Sequence, residues 1–319
     1  MKDFDIVVVG ELNADLILRG DVTPAFGQVE QLIDDATLTL GSSSAIFACG
    51  AARLGLRVAF AGVVGDDALG RFMLDELASR GIDTAACRVD PARPTGATVI
   101  LTSGADRAML TALGTIDALD VDALPPGSVE RARHLHSGAY FLQGPGRDRL
   151  PGLFAAARTA GRTTSFDTNW DPSGRWGDDV LDLLRVADVF LPNAAEARRI
   201  AGTDDVESAA LALARTGAAG RSDGGPTIAV KLGPDGALAA RADGTLVRVP
   251  AMPIDAVDTT GAGDSFDAGF LRAWLDGADL RDALELGVVC GGLSTRAAGG
   301  VDAQPTLAEA RVALASRAP

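Results

Sequence analysis

The sequence of 319 residues has few of the features that mark several common protein classes. Its three cysteines, Cys49, Cys87 and Cys290, lack the spacing of metal ligands, which argues against a zinc site and a disulfide framework. No apolar run approaches the roughly eighteen residues of a membrane-spanning helix. Asp3 and Asp5 lie where a secretory signal would carry basic charge. We therefore expect a cytoplasmic protein.

The sequence also has few basic residues. Lysine and arginine total 29 against 43 acidic residues, and the net charge of −14 argues against nucleic acid and anionic membranes as partners. Lys2 and Lys231 are the only lysines, and no Gly-x-x-x-x-Gly-Lys-Ser/Thr motif occurs, which excludes a Walker-type nucleotidase. The first apolar run leads into GELNAD at 10–15 and not into Gly-x-Gly-x-x-Gly, which argues against dinucleotide binding.

What the sequence does contain is typical of a globular α/β protein. Hydrophobic residues make up 47% and charged residues 23% of the chain. Short β-branched apolar runs alternate with alanine-rich stretches of helical spacing, a pattern that predicts a parallel sheet covered by helices. The predicted strands lie at 5–10, 57–64, 163–167, 188–191 and 227–231. We expect one domain over 1–319.

Two segments, about 12–40 and 95–115, do not fit a strand-helix-strand crossover. Alternating apolar and polar residues at 97–102 are typical of antiparallel strands. The two segments are therefore predicted to pair as a small sheet that forms a lid across an open substrate pocket.

The turn Gly261-Ala262-Gly263-Asp264 carries the strongest chemical signal. Its small residues expose backbone N–H groups at the start of a predicted helix, where a phosphoryl group can be held. A carboxylate there would repel phosphate, which suggests that Asp264 accepts the proton of a hydroxyl nucleophile. The alternative is that Asp264 only caps the helix.

The run DTTGAGDSF at 258–266 resembles the signature Asp-Thr-x-Gly-Ala-Gly-Asp-x-Phe of the PfkB, or ribokinase-like, carbohydrate kinases. Further ordered matches lie at 10–15, 62–70, 191–196 and 230–236, so the resemblance covers essentially the whole chain. It implies a three-layer α/β sandwich with a mostly parallel central sheet. It also implies transfer of the γ-phosphate of Mg-ATP to a substrate hydroxyl.

The resemblance assigns Asp264 as the catalytic base. It gives the anion hole to the main-chain amides of Ala262, Gly263 and Asp264, in the turn that begins at Gly261. Asp258 and Thr260, with backbone near 299–306, match positions that bind a monovalent cation in relatives, with K⁺ as the expected ion.

On the nucleotide side, the resemblance places Asn193 and Glu196 near the triphosphate, with Glu196 acting on Mg²⁺ through water. Their alternative is a helix start with capping-box spacing. Gly233 and Gly236 are expected beside the nucleotide. Lys231 ends an apolar strand and is expected to reach a phosphate, with a carboxylate-paired lysine as the alternative.

On the substrate side, short polar side chains are expected to bind sugar hydroxyls. The predicted substrate-binding residues are Asn13, Asp15, Gly41, Ser42, Ser43 and Asn169. The serines have the alternative role of capping a helix. Two positions depart from the family pattern, since Ile46 stands where an asparagine is expected and Asp171 where an arginine is common.

Because Asp171 would repel an acidic substrate, we expect a neutral sugar or polyol, although Arg107 in the lid could restore positive charge. Two alternatives remain open: a nucleoside kinase, and a non-catalytic sugar- or nucleotide-binding regulator with the same fold. The resemblance also suggests a homodimer that forms through the lid.

Overall fold

The computed structural model describes residues 3–103 and 106–316, and this part of the chain forms fourteen strands and nine α-helices. The strands are β1 (Phe4–Val9), β2 (Asn13–Arg19), β3 (Asp35–Leu40), β4 (Val58–Ala61), β5 (Val63–Gly65), β6 (Arg88–Asp90), β7 (Gly96–Ser103), β8 (Asp106–Ala112), β9 (Ala132–Ser137), β10 (Thr163–Phe166), β11 (Val189–Phe190), β12 (Thr227–Lys231), β13 (Ala237–Ala240) and β14 (Leu246–Val249). The helices are α1 (Ser43–Arg53), α2 (Ala68–Ser79), α3 (Leu150–Thr159), α4 (Asp179–Leu184), α5 (Ala194–Ala201), α6 (Val206–Ala218), α7 (Ala262–Leu275), α8 (Leu280–Ser294) and α9 (Leu307–Ala315).

Eight strands form the central sheet in the order β14-β13-β12-β11-β10-β9-β1-β4. The neighbours from β12 to β4 run parallel, and β13 and β14 add an antiparallel edge. The predicted mostly parallel sheet is confirmed. The single strand predicted at 57–64 is wrong, because the chain leaves the central sheet at Gly62 and continues as β5 in a separate pair with β6.

Helices cover both faces of the central sheet. In β1, Ile6 and Val8 point into a core shared with α1, α7, α8 and α9, while Val7 and Val9 point into a second core shared with α3 to α6. All four side chains are fully buried. A strand buried on both faces requires a continuous apolar run, and the result is the expected three-layer sandwich.

A second sheet has the order β3-β2-β7-β8. The β2–β3 and β7–β8 pairs are antiparallel as expected, but the central β2–β7 pair is parallel. Its strands come from the predicted segments 12–40 and 95–115, of which residues 104 and 105 lie outside the described part. Closure of this small sheet as a lid stays a prediction.

Within residues 3–103 and 106–316, no helix has the length and apolar character needed to cross a membrane.

Candidate active site

The parallel strands of the central sheet converge at one edge, where ligands bind in open α/β sheets. β1 leads into Glu11 and Asn13, β10 leads into Asp167, and β12 ends at Lys231. A backbone bridge between Asn193 and Lys231 adds the end of β11 to this edge. The fold thereby gathers residues that are far apart in sequence.

The helix α7 begins at this edge with Gly261 as its N-cap residue. Gly261 has a φ of 71°, and no side chain caps the helix. A Cβ at Gly261 would lie 2.7 Å from the Cα of Gly300, so the position requires glycine. Asp264 lies within the first turn. The alternative that Asp264 caps α7 is therefore wrong.

The first turn of α7 offers free main-chain donors. The amide of Ala262 donates to the carbonyl of Thr259 at 3.2 Å, so this member of the predicted anion hole is already engaged. The amides of Gly263 and Asp264 precede Ser265, the first residue of α7 whose amide bonds back by four residues. These two N–H groups, at the positive end of the helix, suit an anion.

A carboxylate cluster lies beside this turn. Oxygens of Asp167, Asp264 and Asp267 lie within 4.8 Å of one another. The ammonium of Lys231 is 2.9 Å from Asp167 Oδ2 and 3.0 Å from Asp267 Oδ2. The carboxylate-paired alternative for Lys231 thus describes its contacts, and the phosphate contact stays a prediction.

The cluster perturbs the acidity of Asp264. Asp264 is half-buried. Burial, followed by repulsion from Asp167, raises its pKa to about 8, while Lys231 acts in the opposite direction. A carboxylate with this pKa exchanges a proton near neutral pH, as a general base must.

Two of the predicted substrate residues, Ser43 and Asn169, contact each other near Asp264. The amide of Asn169 donates to the Ser43 hydroxyl at 2.8 Å. Ser43 also acts on Asp264, where it opposes the rise in the pKa of the carboxyl group. Asn169 is held in the left-handed region at a φ of 56°, which directs its side chain toward α1. The structure therefore brings two of the predicted substrate residues close to Asp264.

A second polar group lies on β2. Asn13 donates to Asp15 Oδ1 at 2.9 Å, and a Cβ at Gly41 would overlap both side chains. Burial raises the pKa of Asp15 to about 7, opposed by a hydrogen bond from Thr98 and by the charge of Arg107. Asn13 and Asp15 are less than a tenth exposed, and substrate contact stays a prediction for both.

Ser42 serves mainly to cap α1. Its hydroxyl donates to the carbonyl of Glu11 at 2.6 Å and accepts from the amide of Ala45 at 2.9 Å. Ser42 thus has the helix-capping role that was the alternative for the serines. The side chain of Glu11, which sequence reasoning did not single out, is buried and accepts from the hydroxyl of Ser44 at 2.5 Å. Burial raises the pKa of Glu11.

On the nucleotide side, Asn193 and Glu196 form the expected capping box at the start of α5. Glu196 is 3% exposed, and burial followed by repulsion from Asp167 raises its pKa. Gly233 and Gly236 both have positive φ in the turn after β12. Each feature has a local structural cause, and nucleotide contact stays a prediction for all four residues.

The loop before α7 is held by Asp258. Its carboxylate accepts from the amide and hydroxyl of Thr260 at 2.9 and 2.7 Å and from the amide of Gly299 at 3.0 Å. Arg107 on β8 donates to the hydroxyl of Thr260 at 2.7 Å. The small sheet thus contacts the loop predicted to bind a monovalent cation.

The two departures from the family pattern have structural explanations. Ile46 is 4% exposed, and a Cβ at Gly300 would lie 2.6 Å from its Cδ1. Ile46 therefore packs against the loop beside Gly261. The Asp171 carboxylate accepts from the amides of Ser173 and Trp176 at 2.8 and 2.7 Å. The buried Asp171 orders a turn, which weakens the argument that its charge selects the substrate.

Asp167 and Asp267 were missed as site residues. Asp167 ends the strand predicted at 163–167, and parallel sheets place functional groups at such strand ends. Asp267 follows Asp264 by three residues and so shares its helix face. Both signals are present in the sequence, but the ion pairs with Lys231 are tertiary and leave no local pattern.

A central parallel sheet, a carboxyl group of raised pKa at its edge and helix N-terminal amides suit proton and phosphoryl transfer, as in a small-molecule kinase. The sequence matches the pfkB family carbohydrate kinase over residues 3–307. The chain belongs to the pfkB family of carbohydrate kinases, and it is a phosphotransferase of that class.

Named relatives act on different substrates. The chain is 32% identical to an ATP-dependent ribose-1-phosphate kinase of Halopiger xanaduensis over 291 residues, which cover 91% of each chain. It is 32% identical to a 2-dehydro-3-deoxygluconokinase of Bacillus subtilis over 84% of each chain. A Klebsiella pneumoniae fructokinase is 34% identical over 83% of this chain and 88% of its own. Identity alone therefore leaves the substrate open.

Solved structures share the fold. Arabidopsis thaliana ribokinase, complexed with ribose and ATP, superposes with a TM-score of 0.84 at 22% identity over 98% of both chains. A double mutant of Vibrio cholerae fructokinase, with fructose, ADP and potassium ion bound, gives 0.81 at 25% identity over 98% of this chain and 99% of its own. The ribokinase-like architecture is confirmed.

Proposed function

We propose that the protein is an ATP-dependent kinase that transfers the γ-phosphate of Mg-ATP to a hydroxyl of a neutral sugar or polyol. The observation that carries this proposal is the position of Asp264. Asp264 lies in the first turn of α7 with the free amides of Gly263 and Asp264, and Ser43, one of the predicted substrate residues, acts to lower the pKa of its carboxyl group.

In this proposal Asp264 accepts the proton of the substrate hydroxyl. The amides of Gly263 and Asp264 hold the phosphoryl group that the hydroxyl attacks, since preorganised donors stabilise the charge that develops there. With a pKa of about 8, Asp264 is partly ionised at neutral pH and is a stronger base than an ordinary aspartate.

The nucleotide side suits ATP with Mg²⁺. Asn193, Glu196, Lys231, Gly233 and Gly236 are the residues that would hold the nucleotide. Buried acidic side chains with a raised pKa provide oxygen ligands that an added cation stabilises, which suits Mg²⁺. When bound, Mg²⁺ neutralises part of the phosphate charge. Glu196 would hold the ion through water.

A monovalent cation, K⁺ in particular, is proposed beside the same loop. The Asp258 carboxylate and the Thr260 hydroxyl are the oxygen ligands this loop offers, with nearby backbone. Asp258 keeps a lowered pKa because hydrogen bonds from Gly299 and Thr260 overcome its burial, so it stays ionised. An ionised carboxylate at a half-buried position suits a cation.

A neutral acceptor fits the substrate side better than an acidic one. Asn13, Asp15, Gly41, Ser42, Ser43 and Asn169 are its proposed residues. Asp15 and Asp264 both become negative as pH rises through their pKa values, and Glu11 lies nearby. Repulsion from these groups disfavours an anionic sugar. Hydroxyl groups, in contrast, donate hydrogen bonds to all of them.

A nucleoside acceptor is the second candidate. Trp170, next to Asn169, is 54% exposed and packs edge-on against Trp176 at 5.0 Å between ring centroids. An exposed aromatic ring beside a polar site is a platform on which a base can stack. A purely regulatory protein is less well supported, because the base and its substrate-side contacts are assembled.

The test is ADP release by the purified protein with Mg-ATP, with KCl and then with NaCl. The acceptor panel comprises pentoses, hexoses, polyols and nucleosides, with ribose 1-phosphate and 2-dehydro-3-deoxygluconate as anionic comparisons. We expect turnover with a neutral acceptor and faster turnover in KCl. No acceptor-dependent ADP release from any compound would overturn the kinase proposal, and a preference for an anionic acceptor would overturn the substrate proposal.

We propose a homodimer through the small sheet, on the basis of its outer face. Strand pairing places Leu38, Leu16, Val99 and Leu110 side by side on that face. Leu38 is 45% and Leu110 is 62% exposed, so the row is an apolar surface that a second copy can cover. Light scattering after gel filtration is expected to give twice the monomer mass for the wild type and the monomer mass for Leu110→Asp.

A further inference from the structure

Lys231 is held in place on three sides. Its ammonium contacts Asp267 through both oxygens, at 3.0 and 3.1 Å, and Asp167 at 2.9 Å. The side chains of Lys231, Asp267 and Asp167 are 12%, 1% and 8% exposed. A Cβ at Gly263 would lie 3.5 to 3.7 Å from Cδ, Nζ and Cε of Lys231. The lysine therefore packs directly against the anion-hole turn.

The charges around Asp264 are unbalanced. The groups that act on it or on Lys231 come from several elements: Glu11 after β1, His136 on β9, Asp167 after β10, Glu196 on α5, Lys231 on β12 and Asp267 on α7. His136 is buried, and burial lowers its pKa, so it is neutral. Lys231 is then the one cation among these groups, against five carboxyl groups including Asp264.

Burial lowers the pKa of Lys231, but the Asp167 and Asp267 carboxylates outweigh burial and raise it, so the lysine is always charged. Its charge acts on two neighbouring groups. A positive charge against Gly263 attracts an anion held by the turn, and the same charge favours the ionised form of Asp264.

We propose that Asp267 and Asp167 clamp Lys231 against Gly263 as a fixed positive charge, which makes Lys231 and Asp267 positioning residues of the phosphoryl-transfer site. This inference rests on the proposed kinase function. In this proposal Lys231 acts on the nucleotide phosphates by its charge and does not move toward them. A lysine that moved would leave two buried carboxylates without a positive partner.

The test removes the positive and the negative member of one ion pair in separate variants. Lys231→Met removes the positive charge and Asp267→Asn removes a negative one, each with little change of shape. In the wild type, kcat/KM is expected to rise with pH as the base becomes ionised, and this rise is the acid limb of the pH profile. We expect the acid limb to lie at least about 1 pH unit higher in Lys231→Met and at a lower pH in Asp267→Asn. Below the limb, kcat/KM of Lys231→Met is then about tenfold lower than that of the wild type.

Two variants serve as controls. Lys231→Arg keeps the charge and is expected to keep the limb near its wild-type pH. Arg185→Met removes a positive charge from an exposed pair with Asp182 and is expected to keep the wild-type profile. Equal losses at every pH in Lys231→Met and Asp267→Asn, with an unmoved limb, would overturn the proposal, because a merely structural pair has that result.

Thermal unfolding provides a readout that needs no turnover. Lys231→Met leaves Asp267 buried without a partner, so we expect a lower Tm, and the double variant Lys231→Met/Asp267→Asn is expected to recover part of the loss. A double variant no more stable than Lys231→Met would overturn the clamp. A wild-type protein without acceptor-dependent ADP release would overturn the proposed function, while the unfolding series still tests the clamp.

Discussion

The phosphoryl-transfer end and the substrate end of the site are built in different ways. The first is centred on the segment 258–264, whose proposed donors are main-chain amides and whose proposed base, Asp264, lies in the first turn of α7. The second is assembled from β2, the start of α1 and the segment after β10, and its side chains are held by one another. A contiguous turn leaves its pattern in the sequence, whereas an assembled pocket does not.

The difference also concerns what each end can tolerate. The turn depends on backbone shape and on buried charge, so small steric or charge changes have large effects. The pocket depends on hydrogen bonds between short side chains, each of which contributes less. We therefore expect substitutions at the turn to affect kcat and those in the pocket to affect KM.

The largest effect is expected from Asp264→Asn. The amide keeps the shape of the carboxylate but cannot accept the proton, so kcat should fall about 10²- to 10⁴-fold with the KM for ATP little changed. Steady-state ADP release checks this, with the exposed Asp182→Asn as the control. A turnover equal to that of the wild type would show that Asp264 is not the catalytic base.

Gly261→Ala is expected to separate steric from chemical demands on the turn. An alanine at a φ of 71° costs about 1–2 kcal/mol, and its Cβ would also meet the backbone of Gly300. Denaturant unfolding should show at least this loss. The matched variant Gly263→Ala meets only the Lys231 side chain at 3.5 Å or more and should keep the wild-type stability. Equal losses in both would contradict this account.

Asp15→Asn should act on the other end. Losing a charged hydrogen-bond acceptor is expected to raise the acceptor KM by roughly 10- to 100-fold and to leave kcat within a few fold. Because the pKa of Asp15 is about 7, the wild-type KM should fall as pH rises through 7, and the variant should lose this dependence. A loss confined to kcat would show that the two ends are not separable.

The last prediction concerns stability and pH. Asp264 has a folded-state pKa of about 8 against 3.8 for an ordinary aspartate, so the folded state holds a proton that the unfolded state loses. Its contribution to stability is complete below about pH 4 and is lost as pH rises to about 8. We expect the wild-type Tm to fall over this window and the Tm of Asp264→Asn to fall less. Parallel Tm curves would contradict the raised pKa.

Much of the fold follows from local pattern. The strand at 227–231 was predicted and observed with the same bounds, because an apolar β-branched run between helical stretches has one stable placement in a parallel sheet. The parallel pairing of β2 with β7 was not predicted. A two-residue alternation shows that a face is buried but not which strand lies beside it.

The site divides in the same way. Asp264 was predicted because its neighbours in sequence are its neighbours in space. Asp267, on α7, was missed because its partner Lys231 lies on strand β12, 36 residues earlier. Ile46 was interpreted through the asparagine it replaces, and only packing shows that it contacts Gly300. The sequence therefore indicates the type of reaction more directly than the substrate.

The packing of Ile46 against Gly261 and Gly300 has a consequence for how such enzymes diverge. A different side chain at position 46 changes the space beneath the turn that precedes Asp264. A substitution there that alters the preferred acceptor would therefore also require a change in the loop at 299–300. Relatives with another residue at position 46 should therefore also differ in the loop at 299–300. Substrate preference and catalytic competence in this lineage would then be inherited together.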